Sequence, residues 1–395
     1  MGKPKIRFKG YEDDWEQRKW IDVVDISTEM VNPTTGEYDN MPHIAPGNIE
    51  SFTGRILDNV KTVKEEQLIS GKFRFRPDDV VYGKINPQLG KYFYATVNGL
   101  TSADAYVFNG KNGLKQKFLF ALLQTSDFFK YSVSVSKRSG MPKINRDELN
   151  AYSFLMPSEE EQDRIGSYLL QLDHLITLHQ RKCEETKSLK KYMLQKMFPR
   201  NGAKVPEIRF DGFTYDWEQR KLGDIYGSIG NAFVGTATPY YAEHGHFYLE
   251  SNNVKDGQIN HNAEIFINDE FYEKQKDKWL HTGDMVMVQS GHVGHAAVIP
   301  EELDNTAAHA LIMFRNPKEE IEPYFLNYEY QTDKAKKQIE NITTGNTIKH
   351  ILASDMQEFV VDIPKYEEQK VIASYFCNLD NLITCLLYTS PSPRD

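Results

Sequence analysis

Four histidines in the second half of the chain are of a residue type that could hold a metal ion. His281, His292 and His295 lie in the stretch HTGDMVMVQSGHVGH, and His309 follows it. The stretch has no HExxH helix pattern and no carboxylate at clear ligand spacing. Exposed loop histidines are therefore the favoured interpretation. A metal-dependent hydrolase built on these four side chains is kept as the alternative.

Other catalytic signatures are incomplete or missing. The run Asn86-Pro87-Gln88-Leu89 resembles the Asn-Pro-Pro-aromatic site of adenine methyltransferases, but the second proline and the aromatic residue are absent. The sequence has no glycine-rich cofactor loop after a strand pattern, no Walker loop, no GxSxG elbow and no nuclease cluster. We therefore predict no catalytic residue, no cofactor and no metal.

Two loops rich in Ser, Asn, Lys and Arg offer a different chemistry. They are SVSKRSGMPKIN at 134–145 and ITTGNTIKHI at 342–351. Basic side chains hold phosphates or read guanine, Asn reads adenine, and Ser and Thr do either. One such loop alone is typical of an ordinary surface turn. Two of them in corresponding positions of two related halves favour recognition of nucleic acid.

The composition is that of a soluble globular protein with room for two domains. The chain has 395 residues, 40% of them hydrophobic and 26% charged, and a formal net charge of −9. No run approaches a membrane span, the N-terminal segment lacks the apolar core of a signal peptide, and the three cysteines form no CxxC pair. We expect a cytoplasmic protein without membrane contact. The net charge argues against a general polyanion binder, but residues 111–150 carry eight basic against three acidic side chains.

The chain contains an internal repeat of domain size. IRFKGYEDDWEQRKW at 6–20 matches IRFDGFTYDWEQRKL at 208–222 in 10 of 15 positions, at an offset of 202. EEQDRIGSYLLQLDHLIT at 160–177 matches EEQKVIASYFCNLDNLIT at 367–384, at an offset of 207. The sequence between these blocks differs almost completely. Two similar frames therefore hold two different inserts.

The second repeated block predicts a long helix. Ser158 and Glu161 have capping-box spacing, and Pro199 ends the segment. A helix over 159–198 would be about 60 Å long. Apolar residues in this helix follow the 4-3-4 seam spacing of a coiled coil, at Ile165, Leu169, Leu172 and Ile176. The second copy of the block has the same spacing, at Ile372, Phe376, Leu379 and Ile383. Two such helices in one chain are expected to pack antiparallel about a pseudo-two-fold axis.

Each insert reads as mixed α and β. FRFRPDDVVYGKI at 73–85 and HTGDMVMVQSGHVGHAAVI at 281–299 both predict a turn followed by a strand. The amphipathic stretches 114–133 and 321–341 each predict a helix that precedes a basic loop. Short strands in SFLMP at 153–157 and FVVDIP at 359–364 follow the loops. The expected fold class is α+β, with two tandem α/β domains separated by long helices.

Three features together make the chain resemble the specificity subunit of a type I restriction–modification system. They are the block IRFxGxxxDWEQRK, the helix start EEQ–I–SY–LD–LIT, and the signature GDMVMVQSGHVG at 283–294 with its weaker counterpart DDVVYGKINPQLG at 78–90. The resemblance implies two target recognition domains that each read half of a bipartite site in double-stranded DNA. It also implies spacer helices that set the gap and dock two methyltransferase (M) subunits. Restriction (R) subunits would join through the complex, and the chain itself would be non-catalytic.

On this interpretation the chain divides into five segments. They are a first recognition domain at 1–158, a spacer helix at 159–200, a second recognition domain at 201–364, the start of a second spacer helix at 365–384, and an atypical tail at 385–395. The tail CLLYTSPSPRD lacks a helical stripe and is interpreted as a truncation or an assembly junction. A coiled-coil adaptor that binds no DNA is kept as a further alternative.

The predicted DNA contacts are positional, because recognition domains differ from one member of the family to another. The first half contributes Lys84, Asn86, Lys91, Ser136, Lys137, Arg138, Ser139 and Lys143, and the second contributes Ser290, His292, His295, Thr343, Thr344, Asn346 and Lys349.

Overall fold

The computed structural model describes residues 4–137, 140–200, 202–345 and 349–388. The chain divides into two compact units, unit 1 at 1–179 and unit 2 at 180–395. The boundary between them lies inside one long helix. Among the described residues, no helix is both long and apolar enough to cross a membrane.

Unit 1 is built from short strands and four short helices, and the long helix begins in it. Its strands are β1 Glu16–Lys19, β2 Val24–Ile26, β3 Met30–Val31, β4 Pro42–His43, β5 Lys61–Thr62, β6 Lys72–Phe75, β7 Val80–Gly83, β8 Tyr92–Tyr94, β9 Gly99–Thr101, β10 Ala105–Gly110 and β11 Ser153–Met156. The helices are α1 Trp20–Val23, α2 Gln116–Leu123, α3 Ser126–Val135, α4 Arg146–Asn150 and the long α5 Glu159–Lys196.

Unit 2 repeats this plan. Its strands are β12 Glu218–Lys221, β13 Tyr226–Asn231, β14 Tyr241–Ala242, β15 His246–Leu249, β16 Val254–Lys255, β17 Gln258–Ile259, β18 Phe266–Ile267, β19 Met285–Val288, β20 Ala296–Val298, β21 Ala307–Ala308, β22 Leu311–Pro317 and β23 Val360–Ile363. The helices are α6 Leu222–Ile225, α7 Asp269–Glu273, α8 Pro323–Glu329, α9 Asp333–Ile342, α10 Ala353–Gln357 and α11 Tyr366–Tyr388.

Each unit contains an antiparallel four-stranded sheet of the same topology. The strand order is β2-β10-β7-β8 in unit 1 and β13-β22-β19-β20 in unit 2. A second sheet completes each insert, in the order β3-β6-β9-β4-β5 or β14-β18-β15-β21. The strands β7 and β19 are buried along their whole length. The predicted turn-and-strand signature therefore forms the same element twice, and the α+β fold class is confirmed.

The two repeated blocks meet inside each unit. Strand β1 of the DWEQRK block pairs antiparallel with β11, which leads into α5. Strand β12 pairs in the same way with β23, which leads into α11. The blocks are far apart in the sequence of each half but adjacent in its fold. The repeated sequence is thus the frame that closes each unit around its insert.

A buried ion pair joins the two blocks in both units. Nε and Nη2 of Arg7 each donate to Glu161 at 2.7 Å, and the same nitrogens of Arg209 donate to Glu368 at 2.7 Å. The two glutamate side chains are only 1% and 2% exposed. Bidentate arginine–carboxylate pairs fix orientation as well as distance. This contact explains why Arg follows Ile in one block and Glu precedes Gln in the other.

The glutamine that follows this glutamate, Gln162 or Gln369, positions the insert of its unit. Oε1 of Gln162 accepts a hydrogen bond from the backbone N–H of Lys115 at 2.9 Å. Oε1 of Gln369 accepts one from the backbone N–H of Glu322 at 3.0 Å. Lys115 and Glu322 directly precede α2 and α8. A frame side chain therefore satisfies a free backbone N–H at the start of the equivalent helix in each insert.

The stretches 114–133 and 321–341, predicted to be helical, each form two helices. The first breaks between α2 and α3, and the second between α8 and α9. Thr125 and Thr332 cap the second helix of each pair, accepting from the N–H of Phe128 at 3.3 Å and Ala335 at 3.2 Å. Threonine favours this N-cap position over a helix interior. The two caps are separated by the same offset of 207 as the frame helices.

The long helix was predicted over 159–198 and extends over Glu159–Lys196. Within unit 2 its last turns pack antiparallel to α11, because Lys190 pairs with Asp380 whereas Phe198 contacts Phe376. Of the predicted seam, Ile372 and Phe376 are buried in this core and Leu379 packs against it. In the first half of α5, Ile165 packs on the core of unit 1 but Leu169 and Leu172 are 38% and 36% exposed.

The second frame helix is longer than predicted. Sequence similarity to the first copy ends at Thr384, but α11 continues to Tyr388. Leu386 is buried, although the stretch after Thr384 has no clear helical stripe. The rest of the predicted tail, 389–395, lies outside the described residues.

Glu329, at the end of α8, is a buried carboxylic acid whose replacement is expected to stabilise unit 2. Burial raises its pKa well above the ordinary value, and Oε1 accepts from the N–H of Asp362 at 2.7 Å. Because the folded pKa is raised, its contribution to stability is full below the ordinary carboxyl pKa and declines as pH rises towards the folded pKa. Between the ordinary and the folded pKa, the free energy of unfolding falls by about 1.4 kcal/mol per pH unit. Glu329→Gln keeps a side-chain oxygen that can accept from Asp362 and removes this pH dependence of stability.

The test is denaturant unfolding of wild type and Glu329→Gln from pH 5 to pH 8. We expect the advantage of the variant to grow with pH across this range. Parallel stability curves would contradict the assignment. Glu358→Gln is the control, since Glu358 is exposed and bonds to the exposed Lys221.

Candidate nucleic-acid interface

In unit 1 the loop after β7 is joined to the loop before α4. Ile85 forms an isolated antiparallel β-bridge with Lys143. The N–H of Ile144 donates to the carbonyl of Lys84 at 3.0 Å, and the N–H of Asn86 donates to the carbonyl of Pro142 at 2.8 Å. The two predicted segments of the first half are thus parts of one surface, which we call loop pair 1, residues 84–86 and 142–144.

Loop pair 1 carries a cluster of positive charge around one aromatic ring. Lys84 Nζ lies 5.1 Å and the Arg146 guanidinium 5.6 Å from the centre of the Tyr106 ring. Burial, opposed by Asp104, lowers the pKa of Lys84, and the nearby charges of Lys143 and Arg146 add to the lowering. Cations kept close together and partly desolvated favour binding of an anion.

The other predicted residues of the first half have different surroundings. Asn86 is in the left-handed conformation (φ 52°) and half-buried beside the bridge. Lys91 donates to the carbonyl of Ile49, and the Ser136 hydroxyl is buried and donates to the carbonyl of Val133 at 3.0 Å. Lys137 is exposed. The predicted residues Arg138 and Ser139 lie outside the described residues.

In unit 2 the loop after β19 meets the segment before α10. Ser290 forms an antiparallel β-bridge with His350, and its Oγ lies 2.8 Å from Nδ1 of that histidine. The N–H of Ile351 donates to the carbonyl of Gln289 at 3.0 Å, and the N–H of Gly291 donates to the carbonyl of Lys349 at 3.1 Å. These residues, 289–291 and 349–351, form loop pair 2.

The two loop pairs have the same backbone construction. In each pair, the residue that follows the bridged residue in the second segment donates its N–H to the carbonyl of the residue that precedes the bridged residue in the first segment. The residue that follows the bridged residue in the first segment donates in the same way to the residue that precedes the bridged residue in the second. Ile144 and Ile351 occupy equivalent positions and are both fully buried. The exposed partners differ completely, with Lys143 in one unit and His350 in the other. An identical scaffold therefore presents different side chains.

The remaining predicted residues of the second half surround loop pair 2. His292 and Lys349 are exposed, as is Thr344, whose N–H donates to the carbonyl of His350 at 2.9 Å. Nδ1 of His295 accepts from the N–H of Asp256 at 3.2 Å. The Thr343 hydroxyl caps α9 by donating to Ile339 at 2.6 Å. The predicted residue Asn346 lies outside the described residues.

The four histidines of the alternative hydrolase site do not converge. His281 lies 3.6 Å from Asp304, and Nδ1 of His309 lies 3.2 Å from Glu250. The ring centres of His292 and His295 are 6.5 Å apart, and burial lowers the pKa of His295. Within the described ranges, no group of three or more His, Cys, Asp or Glu side chains could hold a metal ion. The hydrolase interpretation is wrong, because it requires these four histidines to share one metal site.

Two residues of this surface, Arg146 and His350, are not among the predicted contacts. Arg146 was counted only as a basic residue, although its guanidinium donates to the carbonyls of Ile26 and Ser27 at 3.0 Å and stands over Tyr106. His350 was passed over in favour of its neighbour Lys349. The available signal was position, because Lys143 and His350 each directly precede a buried isoleucine.

Comparisons with known proteins point to one family. The model of the type I restriction modification DNA specificity domain matches residues 12–188 and 215–387. The EcoDI specificity subunit of Escherichia coli is 32% identical over 160 residues, which are 40% of this chain and 35% of that protein. The MjaVIII specificity subunit of Methanocaldococcus jannaschii is 24% identical over 296 residues, 72% of this chain and 68% of that protein.

A solved structure gives the same result for the fold. The S subunit of a type I restriction–modification system from M. genitalium aligns with a TM-score of 0.65 at 13% identity, covering 98% of this chain and 94% of that one. The family model matches twice, and each match spans one insert together with frame strands and a frame helix. With more than half of its residues matched, the chain belongs to the family of type I restriction modification DNA specificity proteins.

Proposed function

We propose that this specificity subunit reads a bipartite site in double-stranded DNA, with loop pair 1 contacting one half-site and loop pair 2 the other. The frame helices would set the gap and dock two methyltransferase subunits, and restriction subunits would join through the complex. The chain would act in the cytoplasm as a non-catalytic member of that complex.

One observation carries this proposal, the repeated construction of the loop pairs. Two inserts with little sequence in common build the same backbone bridge and then place different polar side chains on it. The bridge is held by backbone hydrogen bonds, so the exposed side chain can be Lys in one unit and His in the other without loss of the scaffold. Readers of two different base sequences need this combination of constant scaffold and variable surface.

The chemistry of each surface suits a different part of DNA recognition. Lys84, Lys143 and Arg146 give loop pair 1 a local positive charge within a chain of net charge −9. Lysine and arginine can hold phosphates or donate to guanine. Ser290 and His350 in loop pair 2, and His292 beside it, supply hydroxyl and imidazole groups that can form hydrogen bonds with base edges. We therefore expect a larger electrostatic share of binding from unit 1.

Exposure and bonding support a division of the predicted contacts into two groups. Lys137, Lys143, His292, Thr344 and Lys349 are exposed and are proposed to touch DNA directly. By contrast, the polar groups of three other predicted residues already bond within the fold. They are Lys91, Ser136 and Thr343. We propose that these three shape the loops instead.

Exposed apolar side chains on the long helix support the docking of a protein partner. Leu169, Leu172, Leu175 and Leu178 are between 36% and 50% exposed. An apolar row of this kind on a charged helix is typical of an interface. We propose it as part of the surface that receives methyltransferase subunits.

The function is tested by mapping methylated adenines in a host that lacks adenine methylation and expresses the chain with its methyltransferase subunit. Wild type is expected to give one split motif. Lys143→Ala should relax base preference in one half, and His350→Ala in the other, each by roughly 10- to 100-fold because one base contact is worth about 1–3 kcal/mol.

Matched controls lie in the same units away from the loops. Lys111→Ala changes an exposed lysine at the opposite end of β10, and His261→Ala changes an exposed histidine bonded to Glu264. Both should leave the motif unchanged. If wild type gives no split motif, the proposed function is wrong. If Lys143→Ala and His350→Ala relax the same half, the assignment of one loop pair to each half-site is wrong.

A further inference from the structure

Three side chains from three helices of unit 2 form a buried polar cluster. Lys190 Nζ on α5 lies 2.6 and 2.9 Å from the two carboxylate oxygens of Asp380 on α11. The Tyr328 hydroxyl on α8 donates to Oδ2 of Asp380 at 2.8 Å. Lys190 also lies 5.1 Å from the centre of the Tyr328 ring. The side chains of Lys190 and Asp380 are 13% and 14% exposed, and Tyr328 is 3% exposed. The cluster connects both frame helices to the second insert.

This cluster is not part of the repeated frame. At the offset of 207, Asp173 stands in unit 1 where unit 2 has Asp380, and Ala121 stands where unit 2 has Tyr328. The carboxylate of Asp173 accepts a hydrogen bond from the side-chain amide of Gln124 at 3.4 Å. The frame ion pairs and glutamine contacts recur in both units, whereas the tyrosine of the cluster has an alanine, Ala121, as its counterpart in the described part of unit 1.

Stability alone does not account for the cluster. A buried ion pair loses most of its attraction to desolvation, and apolar residues in its place are often as stable or more so. What a single buried charge does well is to specify register, because any slip leaves it without its partner. On α5 in unit 2 the inward-facing stripe consists of Cys183, Thr186 and Leu194, which are buried, and Lys190, which is 13% exposed. Lys190 is the only charged member of that stripe.

We propose that the Lys190–Asp380–Tyr328 cluster fixes the register of α5 against α11 and of the second insert on both, and thereby the length of the gap between the half-sites. This inference rests on the proposed function. A slip by one helical turn, about 5.4 Å, would place Asp380 opposite Thr186 or Leu194. That distance corresponds to about two base pairs of DNA at roughly 3.4 Å each. The three residues are positioning residues and do not touch DNA.

The test is the methylation map of the full chain, with its methyltransferase subunit, carrying Lys190→Met together with Asp380→Leu. The bases of both half-sites should stay as in wild type. Sites whose gap differs by one or two base pairs should gain methylation by at least roughly tenfold relative to sites with the wild-type gap. The reversed pair, Lys190→Asp with Asp380→Lys, should restore the single gap. Tyr328→Phe keeps the packing and should relax the gap to a smaller extent.

Lys187→Met is the control, because Lys187 lies one turn away on α5 and pairs with Glu184 at the surface. It should leave the gap unchanged. An unchanged gap in the double variant and in Tyr328→Phe would overturn the inference. So would complete loss of methylation in the double variant, since loss of a register contact predicts relaxed gaps and not an inactive subunit. Failure of wild type to give a split motif would instead overturn the proposed function.

Discussion

Placing the first insert in the second frame is expected to give a DNA motif whose two halves carry the same bases. In this exchange residues 24–152 replace residues 226–359, between the frame strands β12 and β23. If each insert is the reader of one half-site, the second half should change completely while the first half and the frame are kept. A wrong base typically costs 1–3 kcal/mol per position, so methylation of the original second half should fall by roughly three orders of magnitude or more.

The contacts between frame and insert indicate that such an exchange can fold. Frame Trp15 packs edge-on against insert Phe118 at 6.0 Å, and frame Trp217 packs the same way on Phe325 at 5.5 Å. The backbone junctions also match, since the N–H of Trp20 bonds the carbonyl of Tyr152 and the N–H of Leu222 bonds that of Phe359. Both inserts therefore offer the frame the same attachments.

One frame position differs and should be changed with the insert. Trp20 is fully buried in unit 1 and packs on Phe108 and Phe128, whereas its counterpart in unit 2 is Leu222. A leucine beneath the first insert would leave a cavity, which costs several kcal/mol for a residue of this size. Leu222→Trp should therefore accompany the exchange, and Leu222→Trp in the native second frame is the control. A motif altered in both halves would show that the inserts do not read independently.

The frame was the most predictable part of the fold. Near-identical blocks at constant offsets require similar contacts, and the structure places Arg7 on Glu161 and Arg209 on Glu368 for that reason. The similarity of the inserts was predictable as an order of elements but not as a sequence match, because their cores use different residues, aromatic around β7 and Met or Val in β19. One short signal survived, the Gln-Thr pairs at 124–125 and 331–332, which mark equivalent helix caps.

The residue types of the candidate interface were predictable, but the contacts between the two segments of each loop pair were not. Loops rich in Lys, Ser and Gly were recognisable, but a β-bridge between residues about sixty positions apart leaves no local pattern. Lys143 and Ile85 are joined in this way, as are His350 and Ser290. The sequence also could not separate a serine that shapes a loop, such as Ser136, from one on its surface, because burial depends on the whole unit.

Removing the frame arginine of unit 2 is expected to be the most destabilising single change in that unit's frame. Arg209→Met leaves Glu368, which is 2% exposed, buried without its cation. Loss of one partner from such a pair costs about 3–5 kcal/mol, whereas an exposed pair is worth at most about 1 kcal/mol. Arg220→Met, which breaks an exposed pair with Glu319 in the same repeated block, is the matched control.

The readout for this prediction is hydrogen exchange followed by mass spectrometry, because it separates the two units and a global melting curve does not. Arg209→Met should lower protection in peptides from 202–345 and 349–388, and leave those from 4–137 as in wild type. The equivalent Arg7→Met should have the opposite distribution. Adding Glu368→Leu to Arg209→Met should recover much of the lost protection, since it removes the unpaired charge. If protection falls equally in both units, the two frames are not independent closures, and the insert exchange would lose its physical basis.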